Sequence, residues 1–388
     1  MNPSANRLIH ISFGRRIASG LLSCIGAIFR LVRIIGNLSN PVTDAAMTVI
    51  EPYNMGDVVS LEPMIRLLSM SGKRVTVIAR QQWRSLLPKA HICKWIDSEL
   101  PWSAYDGCKK YRVWKLFSAD FLKHIRHLRC SCKGSIGIDV RGDIRSIIIL
   151  YLAGCREVLS LDCYSGSDLR ISPIAARLVS SDHFLRKWEQ GVKFCSILGV
   201  AVDGKMLLPP DMRHLLSSEV HKQSSTVGLV IVAPWTGRTW PDSKWQALVT
   251  GLKAKGFTPV VFCGPGQKET AARIIGACSD IVESNNIEEF ARNLSGVKLV
   301  VSLDSGPMHL ADALGIPVIG LFGPGKLPLW APSGKFSVVI HHQDKAESVP
   351  CHQVDECVEI GLKAMDLINV EEVLDEVVEI NAKMVCIK

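Results

Sequence analysis

Leu303-Asp304-Ser305-Gly306-Pro307-Met308-His309 follows the β-type run Lys298–Ser302 and leads into a helical stretch. Small, turn-forming residues at such a junction point the first amides of a helix outward, a geometry that binds phosphate. Pro307 lies near the first helical position, where a missing N–H costs nothing, and Ser305 adds a hydroxyl donor. Asp304, at the strand end, would instead meet neutral sugar hydroxyls or a cation. A plain helix cap uses the same residues, and the turn alone does not separate the two readings. Pro234-Trp235-Thr236-Gly237-Arg238-Thr239-Trp240-Pro241 follows a second β-type run, Val227–Ala233, which puts Arg238 on a loop at the same sheet edge. A guanidinium there can grip a diphosphate and stabilise the charge that grows on it as a sugar leaves.

Gly264-Pro265-Gly266-Gln267-Lys268-Glu269 opens like a dinucleotide fingerprint, but Glu269 stands where the third glycine belongs. A broken fingerprint argues weakly for NAD. Glu269 is open to two roles, an acceptor for ribose hydroxyls or an acid favoured by the dipole of a helix first turn. In the first half, Met55-Gly56-Asp57 follows the run Met47–Glu51 and precedes a helix. Asp57 is a carboxylate at a sheet edge, suited to a general base or to an ordinary N-cap.

These segments need a scaffold, and the sequence supplies one twice. From residue 47, β-rich runs alternate with helical ones: Met47–Glu51, Leu61–Met70, Val75–Ala79, Ser135–Val140, Ile144–Ala153, Val158–Leu161. That is the βαβ rhythm of a parallel sheet covered by helices. Periodicity fails between Val200 and Ser225, where Pro209, Pro210 and Gln223-Ser224-Ser225 mark a linker. A second series follows, with strands at Val227–Ala233, Thr258–Cys263, Lys298–Ser302 and Val318–Phe322 and helices at Ser243–Lys255, Lys268–Ala277 and Met308–Leu314. The expectation is a basic segment over 1–43, a Rossmann-like domain over 44–210 and a second over 226–388, facing a central cleft. The C-terminal helix is a candidate to pack back on the first domain.

At 388 residues and 47% apolar composition, the chain is long enough for two cores. Its net charge of +8 is unevenly placed. Residues 1–43 hold Arg7, Arg15, Arg16, Arg30 and Arg33 and no acid, while 109–133 hold eight Lys or Arg against Asp120. Thirteen cysteines, an odd number scattered in apolar runs, read as reduced thiols of a cytosolic protein. Cys351, His352 and Cys357, near His341 and His342, lack the paired spacing of a structural zinc site, so no metal is expected. Ile17–Phe29 is too short to span a bilayer. Ile17, Leu21, Ile25, Ile28, Val32 and Ile35 recur every three or four residues, the pattern of a helix over 7–38 lying in an anionic membrane surface. A cleaved signal peptide and a helix packed on the protein's own surface are the rival readings.

Taken together, the segments resemble glycosyltransferase family 9, the ADP-heptose:lipopolysaccharide heptosyltransferases. The stretch from Val301 through Asp304-Ser305-Gly306-Pro307-Met308-His309-Leu310-Ala311-Asp312-Ala313-Leu314 to Pro324 is similar to that family's D-[TS]-G-x-x-H-x-A-x-A-L-x-x-P segment. Gly56-Asp57 with Pro63, Asp139-Val140-Arg141-Gly142 with Arg145-Ser146, and Trp240-Pro241 with Trp245 add to it. The resemblance implies a GT-B fold with acceptor in the first lobe and donor in the second. It implies inverting, metal-independent sugar transfer from a nucleotide diphosphate, with ADP-heptose as the family's donor and a lipopolysaccharide-core glycan as acceptor. By the same likeness Asp57 is the base and Arg238 the leaving-group stabiliser. Thr236, Asp304, Ser305, Gly306, Met308, His309 and Glu269 would line the donor site, and Arg141 and Arg145 the acceptor site. The expected partners are that donor, an anionic glycolipid held in part by 109–133, and the cytoplasmic face of the inner membrane, with no nucleic acid. Arg238 stands where the family commonly has lysine, and Pro307 and Gly325 also depart from heptosyltransferase usage, which leaves the sugar open. A nucleotide-sugar epimerase, a NAD-dependent dehydrogenase and a non-catalytic nucleotide-binding protein are the other readings of a two-lobed α/β chain.

Overall fold

The computed structural model describes residues 13–37, 46–98, 100, 118–163, 171–182, 184–204, 207–216, 225–276, 279–343 and 358–386. Two compact units divide at 208/209. The first holds β1 (Ala46–Ile50), β2 (Arg74–Ala79), β3 (Lys94–Asp97), β4 (Ile136–Asp139), β5 (Glu157–Leu161) and β6 (Arg177–Val179). Its helices are α1 (Phe13–Asn37), α2 (Met55–Val59), α3 (Glu62–Met70), α4 (Ala119–Cys132), α5 (Ile144–Leu152) and α6 (Lys187–Ile197). The second holds β7 (Thr226–Val230), β8 (Thr258–Cys263), β9 (Asp280–Glu283), β10 (Leu299–Leu303), β11 (Val318–Phe322) and β12 (Val338–His341). Its helices are α7 (Asp242–Ala254), α8 (Lys268–Ile275), α9 (Ile287–Ser295), α10 (Gly306–Ala313), α11 (Val358–Asp366) and α12 (Val370–Val385).

Each unit is a parallel six-stranded sheet, ordered β3-β2-β1-β4-β5-β6 in one and β12-β11-β10-β7-β8-β9 in the other. Parallel strands need helical crossovers that cover both sheet faces, so the inner strands are mostly apolar and buried. β4, β7, β10 and β11 are buried at every position. In each sheet the chain reverses its direction of travel between two adjacent central strands, β1 with β4 and β7 with β10. Ligands of doubly wound sheets bind beyond the carboxyl ends of such a strand pair.

α5 reads Ile-Arg-Ser-Ile-Ile-Ile-Leu-Tyr-Leu because it is covered on several sides. It packs against α1, α4, β1, β4 and β5. Gly26 lets α1 come close: a Cβ there would lie 3.1 Å from Ala175 Cβ and 3.3 Å from Ile144 Cδ1. Leu22 and Phe29 pack on the core of the first unit, and Arg30 donates to the carbonyl of Pro173 at 2.6 Å. The surface-packing reading of the N-terminal segment therefore holds for one face of α1. Leu21, Ile25, Ile28 and Val32, four members of the sequence stripe, are exposed on the other. Side chains of Ile17 and Ile35 lie outside the described residues. Among those described, no helix is long and apolar enough to cross a membrane.

α12 lays Val373, Val377 and Ile380 into the core of the second unit and packs on α7. The edge strands β3, β6, β9 and β12 and the helices α4, α6 and α9 are further elements of these sheets and their covering layers. Cys132, Cys155, Cys163, Cys195 and Cys263 are buried free thiols.

Candidate functional site

In the first unit the loop after β1 and the turn after β4 stand side by side, since Ile50 is in register with Asp139. Asn54 caps α2, and its N–H reaches Asp57 Oδ2 at 3.4 Å. Asp57 is therefore not the N-cap but the third residue of the helix, whose carboxylate accepts the N-cap amide through only one oxygen. The other, Oδ1, lies 2.8 Å from Arg141 NH1. Asp57 is 5% exposed, so this pair sits largely out of bulk water. The Arg141 guanidinium also lies over the Tyr53 ring, 3.9 Å from its centroid, a cation–π contact that fixes its plane.

A second layer holds that arrangement. Tyr53 donates its hydroxyl to Asp143 Oδ2 at 2.5 Å, and Arg145 forks onto Asp143 through Nε and NH2 at 2.9 and 2.7 Å. Burial pushes the Asp143 carboxyl up, but Arg145 and Tyr53 override it and the net value lies below the ordinary one. Arg145 also donates to the Tyr53 hydroxyl at 2.9 Å, so it helps to place that ring. Asp139 accepts the amides of Arg141 and Asp143 and the hydroxyl of Ser160 at 3.2, 2.7 and 2.8 Å, tying down the turn that carries Arg141. Burial, and then Asp143, nevertheless push the Asp139 carboxyl up to about 6.

Two residues here carried no chemical signal in the sequence. Glu51 is wholly buried just beyond β1, and Lys187, at the start of α6, donates to the carbonyl of Val140 at 2.7 Å. Burial lowers the Lys187 amine from its ordinary value, opposed by Glu51 and Asp57. A charged residue at the first position of a predicted strand end or helix is usually solvated, so only packing could reveal either one.

In the second unit the corresponding position lies between β7 and β10, where Val230 is in register with Ser302. Ser305 is the extended N-cap of α10, and its buried Oγ has no hydrogen-bond partner. Arg238, on a short turn over 236–238, places NH1 3.1 Å from Asp304 Oδ2 and donates to the Asp304 carbonyl at 3.2 Å. The contact with Oδ2 is an ion pair without hydrogen-bond alignment, so Oδ2 and Arg238 Nε keep unused bonding capacity. Unpaired buried polar atoms at one helix N-terminus suit an anionic, hydroxylated ligand.

Close backbone contacts build this pocket. A Cβ at Gly325 would lie 2.5 Å from Asp304 Oδ2, and one at Gly361 would lie 2.3 Å from the carbonyl of Gly237. Helix α11 therefore presses on the turn that carries Arg238. Gly323 and Gly325 both accept from the amide of Gln343.

The remaining candidates divide. Gly306 opens α10. His309 is half-buried against Trp330, ring centroids 5.6 Å apart. Met308 has its side chain fully buried against Gly320 and its amide bonded to the Ser305 carbonyl at 3.1 Å. Thr236 is exposed and accepts at its carbonyl from Thr239. Glu269 is exposed in the first turn of α8, the position that suits a dipole-favoured acid. The neighbouring turn is held instead by Glu283, whose Oε1 accepts the Gly266 amide at 2.7 Å. Among the described residues no group of three or more His, Cys, Asp or Glu is placed to hold a metal ion. Cys351, His352 and Cys357 lie outside the described residues, and His342 is bonded to Glu372 at 3.0 Å.

Residues 205–358 match the family model described as glycosyltransferase family 9 (heptosyltransferase). Lipopolysaccharide heptosyltransferase 1 of Salmonella typhimurium is 36% identical over 92 residues, which is 22% of this chain and 28% of that protein. The chain thus aligns in sequence with under a third of this curated relative. Structural likeness is broader. The E. coli heptosyltransferase WaaC with ADP superposes with a TM-score of 0.65 at 19% identity, covering 86% of this chain and 99% of that one. The family 9 glycosyl transferase from Veillonella parvula gives 0.65 at 15% identity, covering 89% and 99%. The fold of both units is therefore the two-sheet GT-B fold of those enzymes.

Proposed function

We propose that this chain, which carries the glycosyltransferase family 9 match over residues 205–358, is an inverting glycosyltransferase of lipopolysaccharide-core assembly. One observation carries the reading. Each sheet bears an acid–arginine pair at its switch point, Asp57 with Arg141 in one unit and Asp304 with Arg238 in the other. An acceptor hydroxyl attacks the anomeric carbon, and Asp57 takes its proton as the new C–O bond forms. The bond to the diphosphate breaks with its electron pair going to the phosphate oxygen. Arg238, the Ser305 hydroxyl and the first amide of α10 stabilise that charge, a role that requires no metal. Asp304 faces the donor sugar. The relatives' names, a lipopolysaccharide heptosyltransferase and a heptosyltransferase with ADP, support a heptose carried on ADP as donor and a heptose-accepting lipopolysaccharide core as acceptor.

The test is transfer itself. Purified protein given ADP-heptose and a heptose-deficient core glycolipid should release ADP only when both are present. ADP release without acceptor, or epimerised donor, would instead favour hydrolysis or epimerase chemistry.

The acceptor is taken at an anionic membrane surface. α1 exposes Leu21, Ile25, Ile28 and Val32, while α4, which also packs on α5, exposes Lys123, Arg126 and Arg129, with Lys133 exposed at its C-cap. An apolar stripe near a basic face matches the interface of the cytoplasmic leaflet, where each cation near the surface is worth about 1 kcal/mol. The basic residues at 109–117 lie outside the described residues. Leu21→Glu with Ile28→Glu should abolish cosedimentation with phosphatidylglycerol vesicles and leave transfer to a detergent-solubilised acceptor intact. Unchanged cosedimentation would assign the stripe another partner.

A further inference from the structure

Among the described residues of the first unit, Glu51 is the one wholly buried acid with an unsatisfied oxygen. Oε2 has no hydrogen-bond partner, and Oε1 receives only a long contact from the Tyr53 amide at 3.4 Å. Orphaned buried carboxylate oxygens are costly, and natural sites keep them where they act. The groups facing Glu51 come from every neighbouring element. Asp57 approaches from α2, Asp139 and Arg141 from the end of β4, and Lys187 from α6. Arg141 NH1, which lies 2.8 Å from Asp57 Oδ1, is 3.9 Å from Glu51 Oε1.

We propose that Glu51 is a positioning residue for the base: it competes with Asp57 for the Arg141 guanidinium, and its protonation decides which carboxylate holds it. The inference rests on the reading of Asp57 as general base. With Glu51 neutral, a carboxylic acid is a poor ion-pair partner, and NH1 stays on Asp57. With Glu51 ionised, a second carboxylate within 4 Å pulls the same nitrogen away. Asp57 then loses the contact that orients it, and turnover falls.

The charge state supports this arrangement. Burial, and then Asp57, push the Glu51 carboxyl up to about 8, against the opposing pull of Arg141 and Lys187. The folded state therefore holds a proton that the unfolded chain releases above its ordinary value of 4.5. This contribution to stability is present below that value and is lost as pH rises towards about 8.

Two measurements test the proposal. In the wild type, Tm should fall between pH 5 and 8, and Glu51→Gln should remove most of that fall. The wild-type pH profile of single-turnover transfer should have an alkaline limb with a midpoint near 8, and the Glu51→Gln profile, normalised to its own maximum, should extend to higher pH. A purely structural Glu51 would leave the limb in place. A flat wild-type Tm over this range, or an unmoved limb in Glu51→Gln, overturns the proposal. The wild-type slope needs no variant, so a poorly folding Glu51→Gln does not spare it. An active Asp57→Asn would remove the base reading and this one together. Failure of Glu51 alone is told apart by an inactive Asp57→Asn beside a Glu51→Gln that titrates like the parent.

Discussion

Asp57→Asn should lower single-turnover transfer by about 10²–10⁴-fold with donor affinity close to that of the parent. The asparagine keeps the side-chain oxygen that meets the Asn54 amide, so the cap on α2 survives. What it loses is the capacity to take a proton, and half of the ion pair with Arg141. Because that pair is nearly buried, some stability will go with it. Circular dichroism and Tm must therefore accompany the rates, and single-turnover conditions keep product release from hiding the chemical step. A folded Asp57→Asn with near-normal single-turnover rate would leave Asp57 as a structural residue of the helix start.

Arg238→Ala carries the second large effect. Losing one charge-assisted contact to a diphosphate costs about 1.5–3 kcal/mol, or roughly 10–150-fold in affinity. Here the loss should sit at the upper end, because Arg238 also neutralises Asp304 at 3.1 Å. Without the guanidinium, a buried carboxylate would face the phosphates. Calorimetry should show ADP binding far weaker while adenosine binding hardly changes. Adding Asp304→Asn to Arg238→Ala should recover part of the ADP affinity, a coupling expected only for groups in contact. Arg238→Lys restores charge but not the fork, so it should fall between. Equal losses for ADP and adenosine would exclude a phosphate role for Arg238.

Much of the scaffold was legible because it is written in local patterns. Inner strands of a parallel sheet are mostly apolar, so Thr258–Cys263 and Val318–Phe322 matched β8 and β11, while Val227–Ala233 began one residue inside β7 and ran three past its end. Lys94–Asp97 and Asp280–Glu283 did not, since edge strands are half-solvated and read like loops. The same limit applies to side chains. Met308 lies in a turn motif rich in ligand-type residues, yet helical geometry turns it inward onto Gly320. Its exposed-looking context gave no hint of direction.

By itself the sequence determined that there are two βαβ series, which loops leave their strand ends, and that Asp57, Arg238 and the Asp304–Ser305 turn follow such strand ends closely. These follow from hydrophobic period and turn chemistry, both properties of neighbouring residues. Tertiary structure alone decided the pairings. Asp57 meets Arg141 across 84 positions, Arg238 meets Asp304 across 66, and Gly361 closes on Gly237. It also decided that α1 buries one face and leaves the other apolar, and that Glu51 is sealed beside the candidate base. Such facts depend on which strands lie side by side and how deeply a side chain is desolvated. Neither is encoded in any short stretch of chain, because the energy that sets them is summed over the whole core.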